Sequence, residues 1–213
     1  MNFVLNGSTP KTQRAFIKKP IFQNFNSNNL IYLDVLTFTA VKSFDNPNEQ
    51  CFPSYETIAE KARLSKDFVM DSIQRLEDAN YLSVYRNPKF RGPNRSYPNK
   101  YFFPEFEVYN PIPLEVLNVE DLTAYEKAML LLLRQFAASP SDIHGSMDDF
   151  SNKLGLTKRT IYKQYLSLNK KAYLDKGRLR KHQLTTLLKI DWSYPEHLKI
   201  NKISKPIVNL LIA

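Results

Sequence analysis

The residues in this sequence best equipped for chemistry are cations set among hydroxyls and aromatics. Nine of them fall between positions 157 and 181, Lys158, Arg159, Lys163, Lys170, Lys171, Lys176, Arg178, Arg180 and Lys181, against a single acid, Asp175. A run of this kind, opened by Thr157 and Thr160 and carrying Tyr162 and Gln164, suits nucleic acid. Ammonium and guanidinium groups neutralise phosphates, Arg or Lys can hold guanine O6 and N7, and Gln can pair with adenine. A smaller cluster without acids, residues 86–100, interleaves Lys89, Arg91 and Arg95 with Phe90 and Tyr97, a mixture fitted to minor-groove insertion or backbone clamping. Catalysis is poorly served. His144, His182 and His197 share no metal-ligand spacing, Cys51 has no second cysteine, and the 5 glycines form no phosphate-cradling loop. The His-x-His motif that a nicking enzyme would set beside a tyrosine is also missing. The expectation is a binding protein, neither enzyme nor metalloprotein, with no cofactor.

Composition narrows the class further. The 213 residues are 43% hydrophobic, 13% aromatic and 24% charged, with a formal net charge of +9. So many aromatics exclude a disordered chain, the scarcity of glycine excludes collagen, and one cysteine excludes a disulfide scaffold. The basic excess is uneven: residues 1–110 hold 14 Lys+Arg and 11 Asp+Glu, and residues 111–213 hold 16 and 10. The longest apolar run in the middle of the chain, residues 128–133, is far short of a membrane span. With no basic leader followed by an apolar core at the N-terminus, a cytoplasmic, reducing setting is expected and membrane attachment is not.

These cations must be positioned by something, and the chain contains a repeat that does so. Residues 30–82 align without a gap on 122–174, at an offset of 92, with nine identities that include Ser54/Ser146, Leu64/Leu156, Lys66/Lys158, Leu76/Leu168 and Tyr81/Tyr173. In the first copy, apolar residues at helical spacing from Leu30 to Phe44 predict a helix, followed by a short extended piece around Cys51. Ser54 caps a second helix over 55–62, and Ser65 caps a third that ends near Asn80. Two strands, 81–86 and 100–103, flank a Pro-rich loop. The second copy repeats the order: a helix over 122–136, a Ser146-capped helix, a turn at Gly155-Leu156, a Thr157-capped helix to about Lys171, and a hairpin that turns at Asp175-Lys176-Gly177 into an alternating stretch over 179–190.

The stretch Cys51-Phe52-Pro53-Ser54-Tyr55-Glu56-Thr57-Ile58-Ala59, with Leu64-Ser65 and Ile73-Gln74-Arg75-Leu76, resembles the winged helix-turn-helix domains of phage and plasmid replication and regulatory proteins. Two such units in one chain resemble the tandem arrangement of plasmid replication initiators. The resemblance implies an α+β fold, mainly helical, of two winged helix-turn-helix domains in tandem with small β-hairpin wings. The boundaries are an N-terminal extension 1–28, domain one over 29–103, a linker 104–119, domain two over 120–191 and a tail 192–213. The implied partner is double-stranded DNA, bound site-specifically, with replication or transcription machinery and a second copy of the chain as further partners. Origin recognition, transcriptional regulation and a protein-interaction adaptor are the three roles that follow.

With Ile161, Tyr165 and Leu168 buried, Lys158, Arg159, Tyr162 and Lys163 point outward, Gln164 lies near the edge, and Thr157 and Thr160 reach phosphates. Lys176, Arg178, Arg180 and Lys181 are then expected along the flanking backbone or minor groove. In the first copy Lys66 and Arg75 join the loop cations Lys89, Arg91 and Arg95 as DNA contacts. The resemblance has a limit there: the family carries basic or polar residues where Asp67 and Asp71 stand. Those acids either accept from cytosine N4 or face a protein.

Overall fold

A helix enclosed on every side has to be surrounded by the rest of its protein, and the described residues include two. In the computed structural model, which describes residues 16–23, 25–45, 51–86, 99–137, 143, 145–175 and 187–192, α1 (Asp34–Lys42) is buried from Asp34 to Val41. Its counterpart α4 (Ala124–Leu133) is buried from Glu126 to Leu133. They pack on each other; α1 also packs on the two later helices of its half, and α4 on the last helix of its own. One continuous apolar core results, running from Ile17 to Trp192.

Each half adds two further helices whose ends are set locally. α2 (Tyr55–Ala62) begins where the Ser54 hydroxyl accepts from the Thr57 amide at 3.1 Å. α3 (Lys66–Asp78) begins likewise on Ser65, with the Phe68 amide at 3.2 Å. In the other half, α5 (Met147–Leu154) starts on a Ser146–Asp149 capping box and α6 (Lys158–Lys170) on Thr157. The bounds of α5 and α6 are those of α2 and α3 moved by 92 residues. The backbone repeats as closely: left-handed residues close the turns at Arg63 (φ 54°) and Gly155 (φ 62°), and again at Asn80 (φ 59°) and Ala172 (φ 60°).

A small antiparallel sheet completes the first half. β2 (Ser83–Tyr85) pairs with β3 (Lys100–Phe102), and Cys51 bridges to Tyr101 on the other side. Burial pushes the Cys51 thiol up to about 12, so the lone cysteine is a packing residue at the strand end. In the second half the bridge Leu174–Leu187 stands at the corresponding place. Residues 87–98, 176–186 and 193–213, which include most of the stretch expected as the second hairpin, lie outside the described residues.

Three expectations about the ends of elements change. The first helix is shorter than 30–44, because Asp34 accepts the Ile31 amide at 2.8 Å and starts the helix there. Part of the supposed N-terminal extension is β1 (Phe16–Pro20). Part of the supposed linker is β4 (Tyr109–Pro113), which leads into a 3-10 turn, Leu114–Asn118. β1 and β4 pair antiparallel, Ile17 opposite Ile112. Prolines at a sheet edge read as a connector in sequence, yet they are compatible with a two-stranded ladder.

The two halves therefore meet like through like: β1 on β4 and α1 on α4. The loops are reciprocal too. Asn118 accepts from Lys61 at 3.0 Å, and Asn26, 92 positions earlier, lies against the turn at Gly155, where an added Cβ would come within 2.7 Å of its Oδ1. Contacts of residue i on j matched by j on i are those of a two-fold join. One polar cluster stitches it shut. Fully buried Lys19 donates to Gln135 Oε1 at 2.7 Å and to the Pro20 carbonyl at 3.0 Å. Gln135 also accepts the Phe22 amide at 2.8 Å and donates to the Phe22 carbonyl at 3.1 Å. Burial, with Arg134 nearby, holds the Lys19 amine well below its ordinary range. Replacing Gln135 by Ala orphans these groups, and the expected cost is about 3 kcal/mol. Thermal unfolding should show it as a melting point lower by about 10 °C.

Candidate nucleic-acid interface

The face that α6 turns to solvent follows from which of its residues are buried. Ile161, Tyr165 and Leu168 sit in the core, as the periodicity predicts. Lys158, Arg159, Tyr162 and Lys163 are exposed, and Thr160 and Gln164 are half-buried at the edge. Arg159, Lys163, Leu166 and Lys170 recur at helical spacing to form one stripe, flanked by Tyr162. α6 carries no acid. Its first turn is capped by Thr157, which accepts the Thr160 amide at 3.2 Å, and the Thr157 and Thr160 hydroxyls lie 2.9 Å apart; a helix N-terminus of this kind suits a phosphate. Lys158 forms an ion pair with Asp148 of α5, both side chains well exposed, so it can be drawn to a stronger anion. Tyr162 points outward as expected, and Leu166 stands in solvent beside it, at 41% and 45% exposure. Among phosphate-seeking cations, such groups suit a thymine methyl.

What holds this face in place is a buried acid. Glu126 of α4, 3% exposed, accepts from Lys171 Nζ at 2.7 Å, from the Thr123 amide at 2.7 Å and hydroxyl at 2.9 Å, and from Ser167 Oγ. Lys171 also donates to the Asp121 carbonyl at 2.6 Å. The sequence counts Lys171 with the basic run, but its charge is used inside the protein. Burial by itself would raise the Glu126 pKa; the hydrogen bonds from Lys171, Ser167 and Thr123 outweigh it and bring the carboxyl down to about 2. The C-terminal half of α6 is thus latched to α4.

The first half repeats the latch with other residues. Asp34, 92 positions before Glu126 and fully buried, accepts from Ser72 Oγ at 2.7 Å and from Arg75 Nε and Nη2 at 3.0 and 2.7 Å. This corrects the assignment of Arg75 as a DNA contact. Its guanidinium is forked onto Asp34 with the side chain only 18% exposed. Lys66 remains at the surface, 2.5 Å from Glu56 in an exposed pair, and Arg86 is held on Glu77 at 2.7 Å. The exposed stripe of α3 is Asp67, Asp71, Gln74 and Asp78, with Met70 beside it. The loop cations Lys89, Arg91 and Arg95, and Lys176, Arg178, Arg180 and Lys181 in the second half, lie outside the described residues.

A helix, a tight turn and a second helix packed on a central one, with the last helix starting in solvent, is an arrangement that enters the DNA major groove. Comparison with known families agrees for the first half. Residues 33–82 match the family model described as a helix-turn-helix domain. That domain supports DNA binding, and it spans α1 to the start of the small sheet. No curated protein and no solved structure matches the chain. Among the described residues no helix is long and apolar enough to cross a membrane.

The latch makes a pH prediction. The folded carboxyl of Glu126 titrates near 2, below its ordinary value of 4.5, so its contribution is complete above about pH 4.5 and disappears as pH falls toward 2. That contribution is about 3 kcal/mol. Urea unfolding of wild type and Glu126→Gln should differ most above pH 4.5 and converge near pH 2.

Proposed function

We propose that the chain is a tandem winged-helix protein that binds double-stranded DNA site-specifically, with α6 as the helix that reads the major groove. The observation that carries this is the acid-free exposed stripe of α6, Arg159, Lys163 and Lys170, beginning at a solvent-exposed, Thr157-capped N-terminus and held by the Glu126 latch. In this reading Arg159 and Lys163 reach guanine edges or phosphates, Gln164 meets adenine at the margin, and Thr157 and Thr160 grip phosphate. Lys158 exchanges Asp148 for the DNA backbone. The cations of 176–181 and 89–95 extend along the flanking duplex. No step of catalysis is assigned and no cofactor is needed, and the protein works where its DNA is, in the cytoplasm.

Recognition of an origin by a phage or plasmid initiator is the role preferred here, because two units of this kind in one chain resemble replication initiators. Replication machinery is then the partner that the bound protein recruits. A transcriptional regulator would use the same grip on DNA.

Selection of bound duplexes from a random pool tests the reading, and the enriched sequence can then be sought beside the gene. Replacing Arg159 and Lys163 by Ala should abolish enrichment and leave the melting point within a few degrees of wild type. Each lost phosphate contact lowers the slope of log K against log salt by roughly 1, and a lost base contact costs about 1–3 kcal/mol with relaxed specificity. Unchanged affinity in the double variant would overturn the assignment of α6.

A further inference from the structure

The two third helices occupy equivalent places and carry opposite charges there. At the offset of 92 that superimposes their bounds, Asp67 stands where Arg159 does, Asp71 where Lys163 does and Asp78 where Lys170 does. Every pair is exposed. The framework beneath is unchanged: Lys66 pairs with Glu56 as Lys158 pairs with Asp148, Ser65 and Thr157 cap alike, and each helix is latched to a buried acid on its central helix. The reversal of charge thus falls on the stripe that would face a duplex.

The join between the halves makes this inversion consequential. Two halves that meet isologously would, with like surfaces, present their third helices as a symmetric dimer does, and would select an inverted repeat. Here one of the two stripes is negative. Duplex DNA carries one negative charge per about 1.7 Å of axis, and three carboxylates along a helix face without an intervening exposed cation are repelled by it. Arg75 cannot offset them, since it is turned inward onto Asp34.

We infer that Asp67, Asp71 and Asp78 are specificity-determining residues that keep α3 out of the major groove, so that the chain selects a single, non-palindromic DNA block through α6 alone. The inference rests on the DNA-binding reading above and adds to it the class of site. α3 is then a helix-turn-helix helix that is present and correctly held but electrostatically excluded.

The test is duplex selection with the full chain and two variants whose changes lie on exposed positions. Wild type should enrich one contiguous asymmetric block. Asp67→Asn/Asp71→Asn removes repulsion without adding contacts, and should bind unselected duplex several-fold more tightly. Asp67→Arg/Asp71→Lys should enrich a second block inverted with respect to the first, with a salt slope steeper by about 2. Melting curves matching wild type would show that both variants fold. An inverted repeat selected by wild type would overturn the inference, as would variants whose motif, affinity and slope equal those of wild type. Enrichment of nothing by wild type would instead overturn the DNA-binding reading itself, and with it this one.

Discussion

Everything in this molecule depends on the burial of α1 against α4. Each helix is enclosed by elements of its own half together with the other central helix: Val35, Leu36, Phe38, Ala40 and Val41 on one side, Ala128 to Leu133 on the other, all are essentially without solvent contact. Removing that area from water is the dominant gain on folding, and it is complete only when the halves meet. The helices that would reach a partner are in turn hung from these two. Glu126 and Asp34, both enclosed, tie α6 and α3 to the centre by hydrogen bonds from Lys171 and Arg75, whose loss would leave a buried polar group without its partner. The outward faces are therefore positioned from within, by residues that never touch what those faces bind.

How much of this was legible in the sequence depends on how local each cause is. The bounds of α2, α3, α5 and α6 were readable because Ser54, Ser65, Ser146 and Thr157 act within one turn of themselves and the apolar spacing is regular. The buried faces of α6, Ile161, Tyr165 and Leu168, followed from the same regularity. β1 and β4 were not readable, since each is a five-residue segment whose only signal is a partner 89 to 97 residues away. Arg75 looked like a surface cation because nothing near it in sequence shows that Asp34, 41 residues earlier, would enclose it. Lys19 and Lys127 were misleading in the same way. Both add to the formal charge, yet they are buried, Lys127 with its amine on the Leu117 carbonyl at 2.7 Å and its pKa lowered to about 8, first by burial and then by Arg63 and Lys61. Net charge thus overstated the cationic surface, while the charge of one exposed helical stripe described it well.

The equivalence of the halves also shows what the fold tolerates. The turn between the second and third helices needs a left-handed residue in both, and the chain supplies Arg63 in one and Gly155 in the other. The arginine bears the backbone cost and donates to the Glu120 carbonyl at 3.2 Å. The glycine avoids the cost and leaves room for Asn26. The latch is served by Ser72 and Arg75 in one half and by Ser167 and Lys171 in the other. What persists is a set of geometric demands, met by different side chains.

The pairing of β1 with β4 has a bearing on how the chain is made. A strand that leaves the ribosome first finds its partner only after residue 113 has followed it, and Lys19 waits for Gln135, 116 residues on. Closing so long a loop is slow relative to forming the helices in between. The first half thus emerges with α1 uncovered and matures only when the second arrives. Synthesis that stops between the halves would release a segment with an exposed apolar helix, the kind of species that aggregates or engages chaperones.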